Sequence, residues 1–268
     1  MTRFDRPRRR AGSKGLRAFF QADAAPGGDA RPVGFFDSGV GGLSILEAFK
    51  KECPLESTIY LADSRNCPYG NRPAEEIALL SEANAARLID DGCKMVVVAC
   101  NTATAAAIDG LRAKWPDLPF VGLEPAVKPA VVMSRTGVVG VLATAGTFGG
   151  RLYNETKAKF ASDVTVLATV ADEFVELVER GETSGARAER AVRSKLEPLL
   201  LAGCDVIVLG CTHFPHLKPL MERVAAGRAE IIDPSGAVAR QARRVLAARS
   251  LLAPAFSVPV HRMVRTGC

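Results

Sequence analysis

Short apolar runs alternate with longer amphipathic stretches along most of the chain. The amphipathic stretches have apolar residues at helical spacing and predict helices such as Leu43–Lys51, Ala74–Ile89 and Ala188–Leu201. Strands that alternate with helices favour parallel sheets, and nearly uniform apolar strands indicate cover on both faces. We therefore predict an α/β fold with mostly parallel sheets flanked by helices. The apolar runs predict strands over Val33–Asp37, Thr58–Ala62, Met95–Ala99, Phe120–Leu123, Val138–Leu142, Val164–Leu167, Val206–Leu209 and Ile231–Ile232.

The chain also repeats itself. Residues 91–102 (DGCKMVVVACNT) align with residues 202–213 (AGCDVIVLGCTH), with four identities in twelve positions, two of them Cys. A second pair, VGFF at 33–36 and VGVL at 139–142, has nearly the same offset. We interpret the repeat as two similar α/β domains, one formed by residues 32–124 and 238–268 and the other by residues 125–237. The alternative is that any two buried strands look alike.

The basic charge is concentrated at the N-terminus. The chain has 268 residues and a net charge of +6, and residues 1–31 carry seven Arg and one Lys against three Asp. The rest is therefore close to neutral, and we expect no nucleic-acid partner for it. We predict that residues 1–31 form a basic, disordered extension, since their composition cannot build a core. A basic arm for an anionic partner is the alternative.

The apolar and cysteine patterns indicate a cellular compartment. No apolar run approaches the roughly 18 residues of a membrane span, and the N-terminus lacks the apolar stretch of a secretory signal. The seven cysteines form no C-x-x-C pair, and an odd number argues against a disulfide framework. We therefore expect a soluble protein of the reducing cytoplasm, with no membrane partner.

Two cysteines occupy the positions where ligands of α/β proteins bind. Cys100 and Cys211 each follow a strand and precede a helix, at the carboxyl edge of a sheet. Free N–H groups at a helix N-terminus lower a thiol pKa toward neutrality and also bind carboxylates. We therefore predict reactive thiols at these two positions. The alternative, a buried and inert thiol, suits Cys93 and Cys204.

A metal site is a weaker hypothesis. Cys211, His213 and His216 offer ligands at short spacing, but the paired cysteines of a structural zinc site are missing. We expect no metal. His216 is interpreted as a surface or capping residue, and His261 has no evident partner.

A glycine-rich turn follows the first strand. Gly39, Gly41 and Gly42 resemble a dinucleotide-binding fingerprint. Asp63 lies near the position in the chain at which such a fingerprint has its ribose-binding acidic residue. However, a carboxylate from Asp37 at the strand tip would repel a pyrophosphate. That carboxylate suits an ammonium group or a proton acceptor instead, or it caps the following helix.

A second loop contains Pro-Tyr-Gly at residues 68–70. Pro and Gly are common in plain turns. Alternatively, the Tyr69 side chain and the Gly70 N–H close over a ligand.

Six segments in order closely resemble the motifs of the bacterial glutamate racemase family, and the resemblance runs from about Val33 to the end of the chain. They are FDSGVGG at 36–42, YLAD at 60–63 with PYG at 68–70, VACNT at 98–102, GLEP at 122–125, LATAGT at 142–147 and LGCTH at 209–213.

The resemblance implies a fold, a reaction and a set of site residues. The family has two facing α/β domains with the active site in the cleft between them, no cofactor and one catalytic Cys per domain. It interconverts L- and D-glutamate and supplies D-glutamate for peptidoglycan. Cys100 and Cys211 would be the acid/base pair, assisted by Asp37 and His213 respectively. The implied substrate-binding residues are Asp37, Ser38, Tyr69, Gly70, Asn101, Thr102, Thr212 and His213.

One segment departs from the family pattern. Where the family has Cys-Pro-x-Phe-Val-Pro-Leu-Val-Glu, this chain has ADEFVELVE at 171–179. Ala171 and Asp172 replace Cys-Pro, Glu176 replaces the later Pro, and Glu179 matches a family residue near the site.

Several alternatives stay open. A racemase for aspartate or a related acid would use the same fold. A nicotinamide dehydrogenase would use the Gly39 turn, and a binding module would hold a small acid without chemistry. We expect a homodimer.

Overall fold

The structure is a computed structural model that describes residues 28–160 and 164–267. The predicted disorder of residues 1–31 falls almost wholly outside the described residues. None of the helices within these ranges is both long and apolar enough to cross a membrane.

The first sheet has five parallel strands, namely β1 (Val33–Asp37), β2 (Thr58–Ala62), β3 (Met95–Val98), β4 (Phe120–Val121) and β9 (His261–Arg265). Their order across the sheet is β4-β3-β1-β2-β9. The helix at Ser235–Ala248 packs on the helix at Leu43–Glu52, and both cover one face. Helices Ala74–Asp90 and Asn101–Lys114 cover the other face.

The second sheet has four parallel strands, namely β5 (Val138–Ala143), β6 (Thr165–Val170), β7 (Val206–Leu209) and β8 (Glu230–Ile232). Their order across the sheet is β6-β5-β7-β8. The helices of this part are Val127–Met133, Ala145–Gly149, Arg151–Phe160, Glu173–Glu179, Gly185–Leu201 and Lys218–Ala225, with a 3-10 turn at Phe214–Leu217. The predicted α/β class with two mostly parallel sheets is confirmed.

The two sheets share one strand order. When β4-β3-β1-β2 is aligned with β8-β7-β5-β6, four of the five strands of the first sheet have a counterpart in the second, and β9 has none. The packing also corresponds, because a Cβ on Gly34 would lie 2.9 Å from Cys93 Sγ and one on Gly140 would lie 3.5 Å from Cys204 Sγ. The predicted similarity of the two domains is therefore visible in topology and in packing. The boundaries at 124/125 and 237/238 stay a prediction.

Cys93 and Cys204 fill the space beside these glycines. Burial raises the pKa of Cys93 to about 12 and that of Cys204 to about 11, so both stay protonated at neutral pH. All six cysteines among the described residues are free thiols.

The missed element is the edge strand β9. Its residues alternate between exposed and half-buried, and Arg262 and Arg265 interrupt any apolar run. Such a strand has little apolar signal because only one face of it contacts the protein. His261, left without a partner by the sequence, lies in this strand, with Nδ1 2.9 Å from Thr58 Oγ1. The edge strand β6 likewise extends three residues beyond the predicted Val164–Leu167.

A buried ion pair joins four distant segments at the amino edge of the first sheet. Lys94 Nζ lies 2.6 Å from Glu56 Oε2, and both side chains are almost fully buried. Lys94 also donates to the carbonyl of Asp29, and Glu56 accepts from Ala253 N at 2.7 Å. The pair therefore ties the segment at Asp29 and the segment at Ala253, which precedes β9, to the start of β3.

Replacing Lys94 should destabilise the fold strongly. Lys94→Met leaves the Glu56 carboxylate buried without a counter-charge, and we expect a loss of about 3–5 kcal/mol in the free energy of unfolding, measured with urea. Lys50→Met is the matched control, since its partner Glu47 is exposed and such pairs contribute less than about 1 kcal/mol. Equal losses in the two variants would contradict this account.

Candidate active site

One cavity lies between the carboxyl edges of the two sheets. It is lined by the segments that follow β1, β2, β3, β5, β6 and β7, as expected for ligand sites of parallel sheets. The first sheet contributes the sulfur of Cys100 and the second that of Cys211. The cavity is lined by Ser38, Pro68, Tyr69, Gly70, Asn71, Cys100, Asn101, Thr102, Thr144, Asp172, Val175, Glu176, Cys211, Thr212 and His213.

Cys100 caps the helix Asn101–Lys114. Its extended backbone ends β3, and its sulfur accepts a hydrogen bond from Ala103 N at 3.4 Å. The helix terminus was expected to bring the pKa of this thiol toward neutrality, and the structure corrects that expectation. Burial, and then the nearby charge of Asp37, raise the pKa of Cys100 well above its usual value and outweigh the hydrogen bond from Ala103.

Cys211 occupies the equivalent place in the second domain. It follows β7 and precedes the 3-10 turn at Phe214–Leu217, and its sulfur lies 3.8 Å from His213 Nδ1. A negative charge on Cys211 raises the pKa of Cys100 further.

Asp37 lies behind Cys100, and it does not line the cavity. Its side chain is fully buried, with Oδ2 accepting from Gly42 N at 2.8 Å and lying 3.5 Å from Thr212 Oγ1. Oδ1 has no hydrogen-bond partner in the described part of the chain. Burial raises the pKa of this carboxyl. Asp37 thus both caps the following helix, through its N-cap Gly42, and faces the Cys100 thiol.

Asn101 is the polar residue with the most unused hydrogen-bonding capacity. It is buried in the cavity wall, and neither its amide oxygen nor its nitrogen has a partner among the described residues. A buried amide without partners costs about 1–3 kcal/mol. Such a group points to a polar ligand that completes its hydrogen bonds.

His213 is fixed on two sides. Its Nε2 lies 2.7 Å from Glu179 Oε1, and that oxygen also accepts from Val40 N at 2.8 Å. Burial alone would lower the pKa of His213, but hydrogen bonds with Cys211, Cys67 and Glu179 raise it well above its usual value. The same contact with His213 keeps the pKa of Glu179 low despite burial. Glu179, whose role the sequence left open, therefore orients the imidazole.

The side chains of Glu179 and His213 in the second domain pack against the glycine turn of the first domain. A Cβ on Gly39 would collide with Glu179 Oε1, and one on Gly41 would collide with the His213 ring. The space that a dinucleotide pyrophosphate would need is filled, and Asp63, the expected ribose partner, is bound by the Tyr69 hydroxyl. The turn is a closure surface between domains, which disfavours the dehydrogenase hypothesis.

Further contacts cross the cleft beside the cavity. Thr102 Oγ1 lies 2.9 Å from Thr144 Oγ1, and Gly146 N donates to the Gly70 carbonyl at 3.2 Å. His216, expected at the surface, is half-buried with Nε2 3.2 Å from the Gly41 carbonyl. These bonds hold the cleft closed.

The structure brings together nearly every residue that the sequence proposed for the site. Ser38, Tyr69, Gly70, Asn101, Thr102, Thr212 and His213 all line the cavity with the two cysteines, and only Asp37 stands behind it. Asn71, Thr144, Asp172 and Glu176 also line it and were not proposed. Thr144 lies inside a recognised motif, whereas Asp172 and Glu176 lie in the divergent segment, where no motif indicates a role.

The fold and the site define a class of protein: two α/β domains that enclose one small polar cavity with a thiol from each domain, as an acid/base isomerase requires. A family model described as Asp/Glu/Hydantoin racemase matches residues 43–242. The chain therefore belongs to the Asp/Glu/Hydantoin racemase family, and it is an isomerase.

Individual relatives agree with this assignment. The glutamate racemase of Herpetosiphon aurantiacus is 48% identical over 227 residues, which are 85% of this chain and 89% of the relative. A crystal structure of a glutamate racemase from Bacillus anthracis superposes with a TM-score of 0.81 at 29% identity, covering 89% of each chain. The Francisella tularensis glutamate racemase, solved in complex with D-glutamate, superposes with a TM-score of 0.78 at 28% identity over 89% of each chain.

Adding one methyl group to the glycine turn should impair activity without unfolding the protein. In Gly41→Ala the new Cβ collides with the buried His213 ring, so the cleft cannot close and kcat/KM should fall roughly 100-fold. The melting temperature should change little, because the collision lies between domains. Gly110→Ala is the control, since a Cβ there meets nothing within 4 Å. Normal racemase activity in Gly41→Ala would contradict the closure role.

Proposed function

We propose that this protein is a glutamate racemase that interconverts L- and D-glutamate without a cofactor, through Cys100 and Cys211. The observation that carries the proposal is the meeting of these two thiols, one from each domain, in a single closed cavity. The names of the relatives support glutamate as the substrate, and an Escherichia coli glutamate racemase solved with L-glutamate shares the fold with a TM-score of 0.75.

Racemisation needs two groups on opposite faces of one carbon. A thiolate removes the α-proton from one face, and the C–H electron pair stays on the substrate, delocalised into the α-carboxylate. The thiol on the other face donates its proton to Cα and becomes the thiolate. Each turnover therefore exchanges the protonation states of Cys100 and Cys211. A single rigid base could not reach both faces, which is why one thiol from each domain suits the reaction.

The polar wall of the cavity suits an amino acid with two carboxylates. The Asn101 amide supplies unpaired hydrogen-bonding groups, and the hydroxyls of Ser38, Thr102 and Thr212 supply further donors. Donors aimed at the α-carboxylate stabilise the charge that develops when Cα loses its proton. Asp37 beside Cys100 and His213 beside Cys211 are placed to assist the two proton transfers.

The cleft must open to admit substrate. The cavity volume is about 40 Å³, room for only a few water molecules and too small for glutamate. Breaking the hydrogen bonds that cross the cleft would separate the domains and admit the substrate. Closure around the bound substrate, with a wider cavity than the present one, would exclude water. The cleft in this structure is closed.

The finer parts of the proposal follow from the family. D-Glutamate made in this way would serve peptidoglycan synthesis in the cytoplasm, and a homodimer is the expected assembly. An aspartate racemase is the alternative, because one methylene changes discrimination by only about 1–3 kcal/mol.

Solvent exchange tests the two-base mechanism. L-Glutamate turned over in D2O should give D-glutamate with deuterium at Cα, observed by NMR and polarimetry, and L-aspartate assayed in parallel should react more slowly. Cys100→Ala and Cys211→Ala should each lower kcat/KM by about 10²–10⁴-fold, since each removes a general acid/base.

Cys204→Ala is the matched control, because this buried thiol lies outside the cavity, at the start of the strand that leads to Cys211. It should keep its activity per folded molecule. Undiminished turnover in both catalytic variants would exclude the mechanism.

The raised pKa of Cys100 predicts a pH profile. Burial favours the neutral thiol, so the thiolate becomes more populated as the pH rises. The family resemblance implies that Cys100 acts on D-glutamate, and we therefore expect kcat/KM for D-glutamate to increase by up to about tenfold per pH unit above neutrality. A profile that is flat between neutral and alkaline pH, with the enzyme intact on return to neutral pH, would show that the thiolate is already formed.

A further inference from the structure

Three side chains with metal-binding atoms meet beside the cavity, at the seam between the domains. The sulfur of Cys67, a carboxylate oxygen of Glu179 and a ring nitrogen of His213 all lie within 4.8 Å of one another. Neither Cys67 nor Glu179 lines the substrate cavity, and racemisation as proposed makes no use of the Cys67 thiol.

The donor set has the chemistry of a zinc site. Thiolate, imidazole and carboxylate are the protein ligands of Zn²⁺, and catalytic-type sites use three such ligands with water in the fourth position. A thiolate and a carboxylate would neutralise the two charges of the ion. Magnesium and calcium prefer oxygen ligands alone, so the set selects a softer divalent cation.

The surroundings hold the ligands in place and leave an approach from solvent. Val40 N fixes the Glu179 carboxylate at 2.8 Å, and the missing Cβ of Gly39 leaves room for both that oxygen and the Cys67 sulfur. Cys67 and Glu179 are half-buried and His213 is buried, so one side of the cluster is open. Outer-shell contacts of this kind orient metal ligands.

The ligands come from both domains. Cys67 belongs to the loop after β2 of the first sheet, whereas Glu179 and His213 belong to the second domain, after β6 and β7. We infer that Cys67, Glu179 and His213 form a binding site for Zn²⁺ or a similar soft divalent cation, which bridges the closed cleft and inhibits the enzyme. A bound ion would tie the domains together, and the cleft would no longer open for substrate. The inhibition rests on the proposed function, whereas the binding does not.

Cobalt substitution tests the binding directly. Co²⁺ added to the full-length protein should bind one ion per chain with a thiolate-to-cobalt absorption band, and Zn²⁺ should displace it. Cys67→Ser should abolish the band and weaken Zn²⁺ binding, measured by titration calorimetry, by about 100-fold or more, since even outer-shell changes cost about 10–100-fold. The double variant Cys100→Ala/Cys211→Ala is the matched control, and it should keep the band.

Inhibition is measured separately, as the ratio of racemase rates with and without Zn²⁺ within each variant. Zn²⁺ should stop the wild-type enzyme, a chelator should restore its activity, and Cys67→Ser should be at least tenfold less sensitive to Zn²⁺.

A cobalt absorption band that survives in Cys67→Ser and disappears in the double variant would place the metal on Cys100 and Cys211 and would contradict the proposed site. Binding without any effect on the rate would overturn the inhibitory role. Absence of racemase activity in metal-free protein would contradict the proposed function and leave the cobalt result unaffected.

Discussion

Closure of the cleft depends on the close approach of the second domain to the backbone of the glycine turn after β1. The His213 ring and the Glu179 carboxylate occupy the volume that side chains at Gly41 and Gly39 would fill. This approach lets Glu179 bind both Val40 N and His213, so one carboxylate joins the domains and sets the orientation of the imidazole. The other contacts between the domains depend on this close packing, because they can form only when the carboxyl edges of the two sheets meet.

Burial of the reactive groups is the second constraint on the site. A closed cavity removes water from the Cys100 thiol, which favours its neutral form and raises its pKa. The exclusion of water also strengthens each hydrogen bond between the cavity-lining residues and a charge that develops in the cavity. The Cys100 thiolate is therefore costly to form, and Asp37 and His213 lie beside the two sulfurs.

The duplicated topology explains why the site has two similar halves. The same strand order, with a cysteine after the third strand of each domain, places two thiols at corresponding points of two sheets. Facing the carboxyl edges toward each other then sets one thiol on each side of the cavity. The neighbours differ: Cys100 caps a long helix near Asp37, whereas Cys211 precedes a short 3-10 turn and lies near His213.

The sequence alone determined the α/β class and the placement of both cysteines at strand ends, because the hydrophobic period is a local property of the chain. The order of its motifs, through their resemblance to a known family, predicted most of the cavity wall. The sequence missed β9, an edge strand with little apolar signal, and predicted the wrong direction for the pKa of Cys100. Only the tertiary structure decided that pKa, the packing of the glycine turn against His213 and the meeting of Cys67 with Glu179. These properties depend on burial and on contacts between residues far apart in the chain, which no local pattern specifies.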